Sequence, residues 1–195
     1  VNPSGLVEAS AAVATFTTWL TGVDQLGLHA ELAGDLTGDG FDDLVLADDD
    51  GAVLIFDGPF SGDYDEFDAH ARLGAASMAT TGNPLHTGDF DDDGWADLII
   101  GDPGGSRGAG EVSVLLGPIA PTSGADAVAV AESIFYGAAS GTDFGGAALA
   151  VPLWGEATST VVVGASQSRS GKGHVSVFDS GLSRSMSESD RSFGI

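Results

Sequence analysis

The feature that most limits what this chain can become is a nine-residue acidic loop that it writes twice. The first copy is Asp35-Leu36-Thr37-Gly38-Asp39-Gly40-Phe41-Asp42-Asp43, which runs straight into Leu44-Val45-Leu46-Ala47. The second is Asp89-Phe90-Asp91-Asp92-Asp93-Gly94-Trp95-Ala96-Asp97, followed by Leu98-Ile99-Ile100-Gly101. Oxygen-bearing side chains stand at loop positions 1, 3, 5 and 9: Asp35, Thr37, Asp39 and Asp43, then Asp89, Asp91, Asp93 and Asp97. Gly40 and Gly94 hold position 6, where a sharp turn needs a residue that tolerates positive φ. Position 7, Phe41 or Trp95, offers its backbone carbonyl. Such an all-oxygen set suits a hard cation, and Ca²⁺ takes roughly 6–8 oxygens in flexible geometry, whereas Mg²⁺ keeps more of its waters.

Asp and Gly are also ordinary residues of solvated turns, so a single loop of this kind would say little. Two copies with the same ligand positions say more. Without a cation, carboxylates about 4 Å apart repel by roughly 4 kcal/mol per pair at an effective dielectric near 20. The loops are therefore expected to hold two Ca²⁺ ions. They are not EF-hands, which place a bidentate Glu at position 12. Position 12 is Leu46 or Ile100 here, inside a short apolar run that reads as a buried strand.

Around these loops the chain repeats. Leu44 matches Leu98 and then Val161, where a third copy reads Val161-Val162-Val163-Gly164-Ala165. Each is followed by a second short strand: Ala52 to Phe56, Glu111 to Leu115 and His174 to Phe178. Two of these reach a Gly-Pro pair, Gly58-Pro59 and Gly117-Pro118. Leu26-Gly27, Thr81-Gly82 and Phe144-Gly145 precede the three copies, and Phe193-Gly194 reads as the start of a fourth. Val7 to Leu20 reads as strand or extended approach. The unit is about four short strands, with Gly, Pro, Asp and Ser at the turns, which is the pattern of a β-propeller blade. Repeats are expected at approximately 26–81, 82–144 and 145–193, with 1–25 as a lead-in strand of a preceding blade. In the third copy the ligand positions hold Pro152, Trp154, Glu156 and Thr160, so that loop is read as metal-free.

These residues resemble the FG-GAP repeat family, the blades of the integrin α-subunit N-terminal propeller and its bacterial relatives. Phe144-Gly145 carries the naming pair, and Gly164-Ala165-Ser166 and Gly101-Asp102-Pro103 are degenerate forms of the second element. Asp43-Leu44-Val45 and Asp97-Leu98-Ile99 match the end of the family's calcium loop. The resemblance implies an all-β fold of four-stranded antiparallel blades, with calcium in loops joining the first two strands of a blade. It implies secreted or surface proteins that adhere, bind ligands or accompany catalytic domains. Propellers close with roughly 4–8 blades, so three repeats and the start of a fourth read as part of a larger or multi-chain propeller. The expected partners are further blades or another protein, and a cell-surface or carbohydrate ligand.

The remaining sequence excludes more than it adds. Lys plus Arg is 6 against 29 Asp plus Glu, a net charge of -23 that repels nucleic acid and anionic membrane surfaces. An apolar fraction of 43% suffices for a core, and the absence of cysteine removes disulfides and thiolate metal sites. No apolar stretch of about 20 residues is present to span a membrane. His29, His70, His86 and His174 share no motif and are read as surface or strand residues. Ser166 to Lys172 resembles a phosphate loop only superficially, and no nucleophile elbow is present. A noncatalytic, extracellular calcium-binding module is the expected function. The alternative is an accessory domain or fragment of a secreted hydrolase.

Overall fold

The central strands of this protein are apolar on both faces, which a chain can satisfy only by sandwiching each sheet between neighbours. The computed structural model shows that arrangement; it describes residues 12–18, 26–48, 51–74, 85–151, 160–167, 172–178 and 186–187. In chain order the strands are β1 (Ala14–Phe16), β2 (His29–Leu32), β3 (Leu44–Ala47), β4 (Ala52–Phe56), β5 (Gly62–Tyr64), β6 (Ala71–Gly74), β7 (Leu85–Gly88) and β8 (Asp97–Asp102). A four-residue helical turn, α1 (Gly105–Gly108), leads to β9 (Glu111–Leu115) and β10 (Thr122–Asp126). A second, α2 (Ala127–Val130), leads to β11 (Ser133–Tyr136), β12 (Phe144–Val151), β13 (Thr160–Ala165), β14 (His174–Phe178) and β15 (Met186–Ser187). The fold is all-β and propeller-like, as the repeat pattern predicts.

The first sheet pairs β2-β3-β4-β6 antiparallel, and the second pairs β7-β8-β9-β11 in the same way. The third contains β12-β13-β14. The predicted second strands of each copy coincide with β4, β9 and β14. Ala14–Phe16 is the described strand within the stretch read as an extended approach.

One feature departs from a simple series of four-stranded units. The strand that follows the third strand of each repeat leaves its own sheet. It pairs parallel with an outer strand lying earlier in the chain: β5 with β1, β10 with β6 and β15 with β11. Consecutive sheets are thereby laced together by backbone hydrogen bonds as well as by packing.

Alternation along the strands builds the two main cores. Val45, Ala47, Val53 and Ile55 of the first sheet face Leu98, Ile100 and Leu115 of the second. Ile99, Val112 and Val114, on the opposite face of that second sheet, pack against Phe144, Val161, Val163 and Phe178 of the third. Full burial of each such side chain stabilises by about 1.5–3 kcal/mol. The Phe-Gly pair has a physical reason here. Phe144 is fully buried beside Phe178, while Gly145 adopts φ +86° against the Glu111 carbonyl, where a Cβ would sit 2.4 Å from oxygen. On the third sheet Val175 and Val177 are 63% and 41% exposed, although the matching Val53 and Ile55, or Val112 and Val114, are covered by the next sheet. Thr81-Gly82, Pro152, Trp154, Glu156 and Phe193-Gly194 lie outside the described residues.

Candidate metal centres

Each acidic loop joins the first two strands of a sheet, β2 to β3 and β7 to β8. Carboxylates hold both loops in shape by accepting backbone N–H groups. Asp35 accepts from Gly38, Asp39 and Gly40 at 2.7, 3.0 and 3.0 Å. Asp89 accepts from Asp93 and Gly94 at 3.1 and 3.0 Å. At position 5, Asp39 accepts from Phe41 N at 2.8 Å and Asp93 from Trp95 N at 2.9 Å. Gly40 and Gly94 take φ +92° and +93°, as the spacing predicts. Position 4 is also left-handed, at Gly38 (φ +82°) and Asp92 (φ +64°), which the spacing did not reveal.

Position 9 is the anchor. Asp43 and Asp97 have no exposed surface. Asp43 accepts from Leu36 N and Thr37 N at 2.9 Å each, and from Gly58 N at 3.2 Å. Asp97 accepts from Phe90 N, and from Gly117 N at 2.9 Å. The two Gly-Pro pairs are therefore donors to the loops. A side chain at either glycine would collide with loop backbone, since a Cβ would fall 2.2 Å from Asp42 O or 2.4 Å from Ala96 O. Position 2 is a buried plug, Leu36 in one core and Phe90 in the other.

These constraints gather oxygens. Carboxylate atoms of Asp89, Asp91 and Asp97 lie within 4.8 Å of one another, as do those of Asp39, Asp43 and Asp57. Asp35 and Asp93 are not members of the triplets, but Asp93 is near enough to push up the pKa of both Asp91 and Asp97. Phe41 and Trp95 present exposed side chains at position 7. Thr37 Oγ1 is buried beside Asp43 and makes no hydrogen bond with the geometry of one.

The electrostatics are those of sites short of positive charge. Burial pushes the Asp97 carboxyl up to about 6; the Gly117 and Phe90 N–H groups oppose this, and Asp91 and Asp93 add to it. Asp43 is raised by burial against three backbone donors, and Asp91 by burial and then by Asp93. A hard divalent cation fits both clusters. The donors are all oxygen, which disfavours metals that prefer sulfur or imidazole. The cation would also relieve the carboxylate repulsion and give Thr37 Oγ1 a partner.

Sequence reasoning missed two members of this neighbourhood. Asp57 follows β4, outside either loop. His70, expected as a surface or strand residue, is only 14% exposed and sits 2.9 Å from Asp57 through Nδ1. Its Nε2 lies 3.0 Å from Ile119 O. The two loops also touch each other, since Ala96 N donates to Asp35 O at 2.9 Å, and Ile119 N, just after the second Gly-Pro pair, donates to Leu36 O at 2.9 Å.

Other acids are buried away from the loops. Burial raises the Glu111 pKa, although Ser106 Oγ donates to it at 2.6 Å. Ser166, Asp143 and His174 line one groove. Ser166 Oγ donates to Asp143 there, which is not the hydroxyl-to-imidazole contact that activates a nucleophile.

Residues 82–115 match the family model of the FG-GAP repeat. This stretch is an FG-GAP repeat. It runs through β7, the second acidic loop, β8 and β9. The FG-GAP repeat is not an enzymatic family. No curated protein matches the chain. Among the described residues no helix is long and apolar enough to cross a membrane.

Proposed function

We propose that the protein is a noncatalytic, calcium-binding extracellular module whose FG-GAP blades serve adhesion, ligand binding or assembly. The observation that carries the calcium reading is the pair of carboxylate triplets, each within 4.8 Å and each anchored by a fully buried Asp. Asp35, Thr37, Asp39, Phe41 and Asp43 hold the first ion, and Asp89, Asp91, Asp93, Trp95 and Asp97 the second. Calcium supplies the positive charge that lets Asp43 and Asp97 stay ionised in buried positions, and it fixes the turn between neighbouring strands. Loops of this type fill where calcium is plentiful, which supports an extracellular or surface location. FG-GAP repeats typically occur in such proteins. The exposed valines of the third sheet suit a protein partner or a further blade.

At a calcium concentration 100 times its dissociation constant, each ion adds about 2.7 kcal/mol of stability. Melting curves in calcium and in EGTA test the reading. A lower melting temperature in EGTA is expected, and superimposable curves would contradict it.

A further inference from the structure

We propose that Asp57 is a ligand of the first cation site, delivered from the end of β4 in place of the carboxylate that loop position 3 lacks. This rests on the calcium reading above and adds to it a residue outside the loop. The second loop supplies its whole triplet itself, from Asp89, Asp91 and Asp97. The first loop has Thr37 where the second has Asp91, and its triplet is Asp39, Asp43 and Asp57, so that position 5 stands where the second loop uses position 1 and Asp57 completes the set from outside the loop. The exchange is reciprocal. Asp57 stands immediately before Gly58-Pro59, and the residue immediately before Gly117-Pro118 is Leu116, which packs against the second core. Each repeat thus brings three carboxylates together, by different routes.

Two further features mark this site. The Thr37 hydroxyl is buried beside Asp43 and, apart from the pull that it exerts on that carboxylate, has no hydrogen-bond partner. Asp57 is also held in place. Gly58 N, the next residue, is tied to Asp43 Oδ1 at 3.2 Å, and His70 contacts Asp57 while its other ring nitrogen meets Ile119 O. The residue matching His70 in the second repeat, directly before β11, is Glu132. Of these two repeats, the first has both the aspartate and the imidazole beside it, and the second has neither. Each oxygen of Asp57 has lone pairs beyond the one facing His70.

Calcium titration calorimetry tests the assignment, using a chain whose second loop is silenced by Asp91→Asn and Asp93→Asn. In that background Asp57→Asn is expected to weaken calcium binding by about tenfold or more, because carboxylate count tunes affinity at such sites. Adding Thr37→Asp is expected to restore it. His70→Gln is expected to weaken binding less, and to have no further effect once Asp57 is gone. An affinity unchanged by Asp57→Asn would overturn the proposal, as would failure of Thr37→Asp to compensate. Circular dichroism of the Asp57→Asn chain guards against a variant that folds poorly, and a folded Asp57→Asn chain with undiminished affinity would count against the proposal. If the unmodified chain gives no calcium heat, the functional reading itself falls. If it binds two ions and Asp57 is silent, only the ligand assignment falls.

Discussion

The two acidic loops share a backbone and differ in how they are charged. Both are built on the same hydrogen bonds from positions 1, 5 and 9, and both lean on a Gly-Pro turn. The second concentrates its charge, with Asp91, Asp92 and Asp93 in succession. The first spreads its charge, with Thr37 and Gly38 inside the loop and Asp57 brought in from another strand. The difference shows in the anchors. Asp97, with Asp91 and Asp93 pressing on it, is raised to about 6, while Asp43 has one more backbone donor opposing its burial. One scaffold can therefore bring its carboxylates together from different places around a buried position 9 carboxylate.

Substituting the anchors is the most drastic way to test that comparison. Asp43→Ala leaves three backbone N–H groups without their acceptor, and Asp97→Ala leaves two. With about 1–3 kcal/mol for each buried donor left unsatisfied, Asp43→Ala is expected to cost about 3 kcal/mol in EGTA and Asp97→Ala less. Chemical denaturation of the two variants reads the difference, and equal losses would erase the distinction between the loops.

A second test uses pH in the metal-free protein. The folded pKa of Asp97 is about 6 and lies above its unfolded value, so the folded state holds the extra proton between about pH 4 and pH 6. Stability is then present at the acid end and lost as pH rises through about 6, by an amount on the order of 2 kcal/mol. The Asp97→Asn variant should lose part of this slope, and the rest comes from Asp43, Asp91 and Glu111, which burial also raises. A metal-free chain that gains stability from pH 4 to pH 6 would contradict the burial argument.

Calcium affinity is expected to separate the loops from the third repeat. Asp93→Ala is expected to weaken one site by about tenfold, and Glu156→Ala to leave both intact, as calorimetry would show. The smallest expected effect is at position 4. Asp92→Gly removes both a left-handed aspartate and a charge, giving the second loop the residue found at Gly38. It should stabilise the metal-free chain by about 0.5 kcal/mol, measurable as a small rise in melting temperature.

Much of this was legible in the sequence because it rests on local rules. Leu44 to Ala47 and Ala52 to Phe56 are apolar runs bounded by turn residues, and they form strands with both faces buried. Gly40 and Gly94 mark positive φ because little else tolerates it there. What the sequence hid depends on partners far along the chain. β5 and β10, with sequences Gly62-Asp63-Tyr64 and Thr122-Ser123-Gly124-Ala125-Asp126, carry no hydrophobic alternation. Parallel pairing to another sheet holds them through backbone groups that every residue possesses. Asp57 was invisible for a related reason. It belongs to no repeated motif, since Leu116 stands at its place in the other copy, and only the fold carries it to Asp39 and Asp43.

The most direct measurement is a diffraction map from crystals grown in millimolar calcium. The account predicts one ion in each loop, about 2.3–2.6 Å from its oxygen ligands, with Asp57 among those of the first and Asp91 among those of the second. Two loops holding only water at that calcium concentration would contradict it.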